Sequence, residues 1–106
     1  MKTLDFNTFK KSTFPVILRD KEKTKLTLLG QTLEIAKAVE VLGEEKNNEE
    51  EAFAYWCQLT ALILSRNQEG ITVKASEVNE IFDLEEMLIL YERYMEFNVE
   101  IQTGKN

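Results

Sequence analysis

Few side chains in this 106-residue chain are equipped for covalent or acid–base chemistry. Cys57 is the single cysteine, and histidine is absent. Without an imidazole, the Ser-His-Asp and Cys-His nucleophile systems, His-bearing zinc sites and the Glu-x-x-His di-iron motif are all excluded. Cys57 has Trp56, Leu59 and Ala61 for neighbours, and a thiol in apolar company is inert. It reads as a packed core residue. Glu49, Glu50 and Glu51 are consecutive, so on a helix they fan out about 100° apart and do not converge on one proton or metal. Glu92, Glu96 and Glu100 do line up at i, i+4 spacing, but Arg93 stands beside them and no second carboxylate helix faces them. They read as a solvated acidic face. The four glycines, Gly30, Gly43, Gly70 and Gly104, are too scattered for a phosphate-cradling loop. The expectation is a chain with no catalytic centre, no metal site and no cofactor.

Composition points the same way. With 43% apolar and 30% charged residues, the chain is too apolar for disorder throughout, and its length suits one domain. A lone cysteine forms no internal disulfide. The first 11 residues lack the apolar core of a signal peptide. The longest apolar-rich run, residues 52–64, is broken by Gln58 and Thr60 and falls short of the roughly 20 residues that cross a bilayer. These features predict a soluble, intracellular protein with no membrane partner. Charge is divided unevenly. Residues 1–31 carry seven Lys/Arg against three Asp/Glu, net +4, and residues 32–106 carry six against sixteen, net −10. An acidic body repels phosphates, so nucleic acid is not an expected partner.

The elements that must position any site follow from periodicity. Residues 1–11 read as an extended lead-in with Leu4, Phe6 and Phe9 as anchors. Phe14, Val16 and Leu18 alternate with Pro15, Ile17 and Arg19, and Leu26 and Leu28 alternate with Lys25 and Thr27, so residues 13–29 read as a β-hairpin. Pro15 cannot donate to a ladder, so either its strand is an edge or Pro15 sits at the strand's start. Thr32 is the N-cap of a first helix, which Gly43 closes. Asn48 with Glu51, and Asp83 with Glu86, are capping-box pairs that open helices over about 49–66 and 84–100. A short helix falls between residues 72 and 82. The fold class is α+β: an N-terminal hairpin, a helical body over 32–101, and a frayed tail at 102–106. Phe53, Trp56, Ile63, Leu84, Leu88 and Tyr91 are the expected core, with Val16, Leu18, Leu26 and Leu28 covering one side.

The last helix carries more apolar surface than docking requires. Leu84, Met87, Leu88, Tyr91 and Met95 form one stripe, enough to seat it on a core. Leu90, Tyr94, Phe97 and Ile101 form a second beside it. Either both stripes are core, or the second is a partner surface; it is the candidate partner-binding site. The edge strand and this surplus also favour a homo-oligomer.

The order of these pieces resembles the small tail assembly chaperones of long-tailed bacteriophages and prophages. The pieces are a lead-in with Phe6 and Phe9, Thr13-Phe14-Pro15-Val16-Ile17-Leu18, Lys25-Leu26-Thr27-Leu28-Leu29, an acidic connection, Leu62-Ile63-Leu64-Ser65-Arg66-Asn67 followed by Gly70, Phe82-Asp83-Leu84-Glu85-Glu86, and Tyr94-Met95-Glu96-Phe97. The likeness spans roughly residues 4–101 and contains no catalytic signature. It implies a non-enzymatic protein of the host bacterial cytoplasm whose partners are the tape measure protein and tail tube subunits. It also implies a longer form made by frameshifting, for which codons at Gly104-Lys105-Asn106 would supply the slippery run. The family assigns chemistry to no residue. Two other classes stay open on the residues alone: a small acidic regulatory or inhibitor module, and a structural virion connector subunit.

Overall fold

In the computed structural model, which describes residues 2–44, 46 and 48–104, the period-2 segments pair as an antiparallel hairpin. Strand β1 (Phe14–Ile17) faces β2 (Lys25–Leu28), with Phe14 opposite Leu28 and Ile17 opposite Lys25. Asp20 closes the turn by accepting the Thr24 amide at 2.7 Å, which with the Thr24 hydroxyl holds its carboxyl below the usual carboxylate range. Lys23 takes the positive φ (52°) that the turn requires. Alternation sorts the side chains as expected: Leu18, Leu26 and Leu28 are buried, Val16 packs on the core, and Ile17 points to water.

Four helices follow: α1 (Leu33–Glu40), α2 (Glu49–Ser65), α3 (Ala75–Ile81) and α4 (Leu84–Thr103). The architecture is the α+β plan that alternation and caps predict. Thr32, Asn48 and Asp83 each accept an amide of the first helical turn through the side chain, as their positions require. A 3₁₀ turn at Val41–Gly43 continues α1. α2, apolar on most sides, is the central helix: Cys57, Leu59, Thr60, Ala61, Ile63 and Leu64 are buried, and α1, α3, α4 and β2 all pack against it.

Beyond β2, residues 66–69 act as a third rail. The Leu29 amide donates to the Arg66 carbonyl, the Gln68 amide to the Thr27 carbonyl, and the Glu69 carboxylate accepts the Thr27 amide at 2.8 Å. β2 is therefore covered on both sides, and among the described residues β1 keeps an open edge.

Three expectations need correction. Leu4, Phe6 and Phe9 do not anchor the lead-in; all three are exposed. Leu84 and Leu88 are 43% and 38% exposed rather than core, and Phe53, Trp56 and Tyr91 are half-buried at its margin. The tail does not fray at 102: α4 continues to Thr103, and Gly104 caps it in the left-handed region (φ 71°). Lys105 and Asn106, part of the proposed slippery site, lie outside the described residues.

Candidate functional site

The capping box that starts α4 is complete, Glu86 accepting the Asp83 amide at 3.0 Å and Asp83 accepting the Glu86 amide at 2.8 Å. Glu86 also pairs with Arg19 of the hairpin. With its start pinned, the 20-residue helix presents two fixed faces.

The inward face is the stripe that sequence spacing nominated for a partner. Leu90, Tyr94 and Phe97 are buried, Tyr94 completely. The Tyr94 hydroxyl donates to the Leu29 carbonyl at 2.7 Å, and Phe97 packs on Phe14 with ring centroids 5.7 Å apart. Burial raises the Tyr94 phenol to a pKa of about 12. Asn98, one turn on, donates to the Tyr94 carbonyl at 2.9 Å and accepts the Gln31 amide at 2.9 Å. Arg66 adds a bond from its Nε to the Gly30 carbonyl at 2.9 Å. The turn after β2 is thus clamped to α4 by side chains that must be inside to do it. Ile101, 38% exposed, extends this stripe over Gly30. The expected partner site is therefore mostly core.

The outward face holds what that expectation missed. Leu84, Leu88, Tyr91, Met95 and Val99 follow one another at helical spacing, and Val99 is 55% exposed. Tyr91, Met95 and Val99 line an open groove of about 550 Å³, edged by Glu92, Glu96 and Glu100. A second hollow of about 420 Å³ lies between α2 and the start of α4, lined by Phe53, Trp56 and Leu84 with Glu49 at its rim. The two meet where Trp56 packs edge-on against Tyr91 at 5.5 Å. Four carboxylates border this apolar surface.

No family model, curated protein or solved structure matches the chain. The site must be interpreted from its own chemistry. Cys57 is buried, and burial pushes its thiol up, away from the reactive thiolate. Among the described residues no group of three or more His, Cys, Asp or Glu is placed to hold a metal ion. Among them, too, no helix is long and apolar enough to cross a membrane. What the α4 surface offers is a shallow apolar trough with negative banks.

The sequence holds only a partial hint of which face turns inward. Tyr94 and Asn98 are one turn apart, and each brings polar groups that must be satisfied when buried. Leu88, Met95 and Val99 bring none and are tolerated in water.

Proposed function

We propose that this protein is a non-enzymatic tail assembly chaperone of the long-tailed phage kind, acting in the host bacterial cytoplasm. The apolar trough on the outer face of α4 holds helical segments of the tape measure protein and keeps them soluble until tail tube subunits gather. The observation that carries this reading is the open groove of Tyr91, Met95 and Val99 with Glu92 and Glu96 on its bank. An amphipathic client helix lays its apolar stripe into such a groove, and Lys or Arg flanking that stripe would meet the carboxylates. The net −10 of residues 32–106 supplies the like charge that keeps a loaded complex dispersed.

The test is co-expression with the tape measure protein encoded beside this gene, measuring how much of that client stays soluble. The unaltered chain should raise the soluble fraction. The pair Leu88→Ser and Met95→Ser should abolish the effect while the chain itself stays folded. Full solubilisation by that variant would move the site off α4. No solubilisation by the unaltered chain, or no tape measure gene nearby, would overturn the chaperone reading.

A further inference from the structure

Residues 2–12 carry apolar side chains that the fold leaves uncovered. Leu4, Phe6 and Phe9 are 63%, 73% and 52% exposed. The segment is nonetheless organised. The Asp5 carboxylate accepts the Asn7 amide at 2.9 Å, and the Thr8 amide donates to the Asp5 carbonyl at 3.1 Å, closing a turn. That turn brings the Phe6 and Phe9 rings to 6.0 Å. An aromatic pair arranged by local polar bonds and left in water is apolar area in need of cover. Lys10 and Lys11 follow at once and Lys2 stands at the other end, so the segment is basic against Asp5 alone.

Where the segment joins the fold decides what it reaches. Thr13 sits in a cleft lined by Arg93, Glu96 and Phe97. Glu96 also lines the apolar groove of Tyr91, Met95 and Val99. Cleft and groove therefore share an acidic ridge of Glu96 and Glu100, and Glu92 lies one turn before Glu96 on the groove's own bank. A chain leading back from Thr13 across this ridge passes Lys11 and Lys10 over the carboxylates and sets Phe9 and Phe6 above the groove. The five residues from Thr13 to Thr8 extend to about 17 Å. That exceeds the roughly 10–12 Å diameter of a helix with its side chains. A tether so short gives an effective concentration on the order of millimolar, which at micromolar protein places the chain's own segment ahead of a second copy.

We infer that residues 2–12 form a strap that closes over the α4 groove of the same molecule. Phe6 and Phe9 cover Met95 and Val99, and Lys10 and Lys11 pair with Glu92 and Glu96. The strap stands open in the structure, with Phe6, Phe9 and Val99 all more than half exposed. Closure hides the groove from any other helix, so the strap controls access whatever the groove holds. The inference does not rest on the client named above.

Disulfide trapping tests it on the full chain. Thr8→Cys and Val99→Cys are introduced together and equilibrated at micromolar protein in a glutathione buffer; buried Cys57 stays out of the exchange. The expected product is an intramolecular disulfide in a monomer. Its effective molarity should fall at least about tenfold when Phe6→Ser and Phe9→Ser are added, or Lys10→Glu and Lys11→Glu. All these positions are exposed, so the reduced variants should melt with the unaltered chain. Equal effective molarity in all three proteins would overturn the strap, since a tether without docking behaves that way. Failure to pair would overturn it as well. Disulfide-linked dimers as the main product would replace it with a second copy as the occupant.

Discussion

The two faces of α4 are nearly equal in apolar content and opposite in fate. One contributes Leu90, Tyr94 and Phe97 to the interior, and the other leaves Leu84, Leu88 and Val99 in water. The difference is made by polar atoms. The Tyr94 hydroxyl and the Asn98 amide find backbone partners at Leu29, Gln31 and Tyr94 itself, and the first two lie in the segment that follows β2, on the side where the hairpin packs. Apolar stripes say how tightly a helix can dock; hydrogen bonds that must be completed say which way it turns.

The sharpest way to break this contrast is to hollow the inner face. Tyr94→Ala should cost about 3–5 kcal/mol, as large-to-small core changes do. That is a large share of the roughly 5–15 kcal/mol expected of such a domain. Urea unfolding monitored by circular dichroism reads it, and a cost under 1 kcal/mol would mean the clamp holds nothing. Substituting both Tyr94 and Phe97 by Ser, which would leave the fold intact if their stripe were a partner surface, should unfold the chain.

A gentler change isolates the polar atom. Tyr94→Phe keeps the ring and orphans the Leu29 carbonyl, at about 1–3 kcal/mol. It also predicts a pH signature. The folded phenol titrates near 12 against 10.0 for an ordinary tyrosine, so the folded state holds that proton more tightly. Its stabilising contribution is complete below pH 10 and disappears as pH rises from there towards 12. Alkaline melting curves should show a larger loss in the unaltered chain than in Tyr94→Phe, where only the Cys57 thiol and the Tyr55 phenol, both also raised by burial, still contribute. Parallel losses in both would assign the effect to other groups.

The outer face should respond least. Leu88→Ser removes an exposed side chain and should change stability by no more than about 0.5 kcal/mol. A larger loss in thermal unfolding would show that this face packs in solution, against the strap or another copy, and would sharpen the comparison into one between permanent and part-time cores.

Much of the plan was legible because its signals are local. Thr32, Asn48 and Asp83 act within three residues of themselves, and the hairpin alternation sorts Leu26 and Leu28 from Lys25 without reference to the rest of the chain. What spacing could not resolve is non-local. The docking face of α4 depends on bonds to the turn after β2, and the cover on β2 depends on Glu69 reaching Thr27 across 42 residues. Leu4, Phe6 and Phe9 looked like anchors because apolar residues usually are, but here the fold offers them no inward position. The groove went unseen for the same reason as the clamp: both stripes have helical spacing, and only contacts elsewhere distinguish them.

The bonds from Tyr94 and Asn98 span 65 and 67 residues of sequence, which constrains the order in which the molecule comes into being. Residues 14–29 leave the ribosome early, but α2 and residues 66–69 cover only part of them, and the rest of their inner side waits until residues 90–98 have been made. At about 5–20 residues per second, that delay lasts several seconds. Throughout it the nascent hairpin exposes leucines and an open strand edge to every neighbour. A chain proposed to shelter another protein's helices thus begins its own life unsheltered.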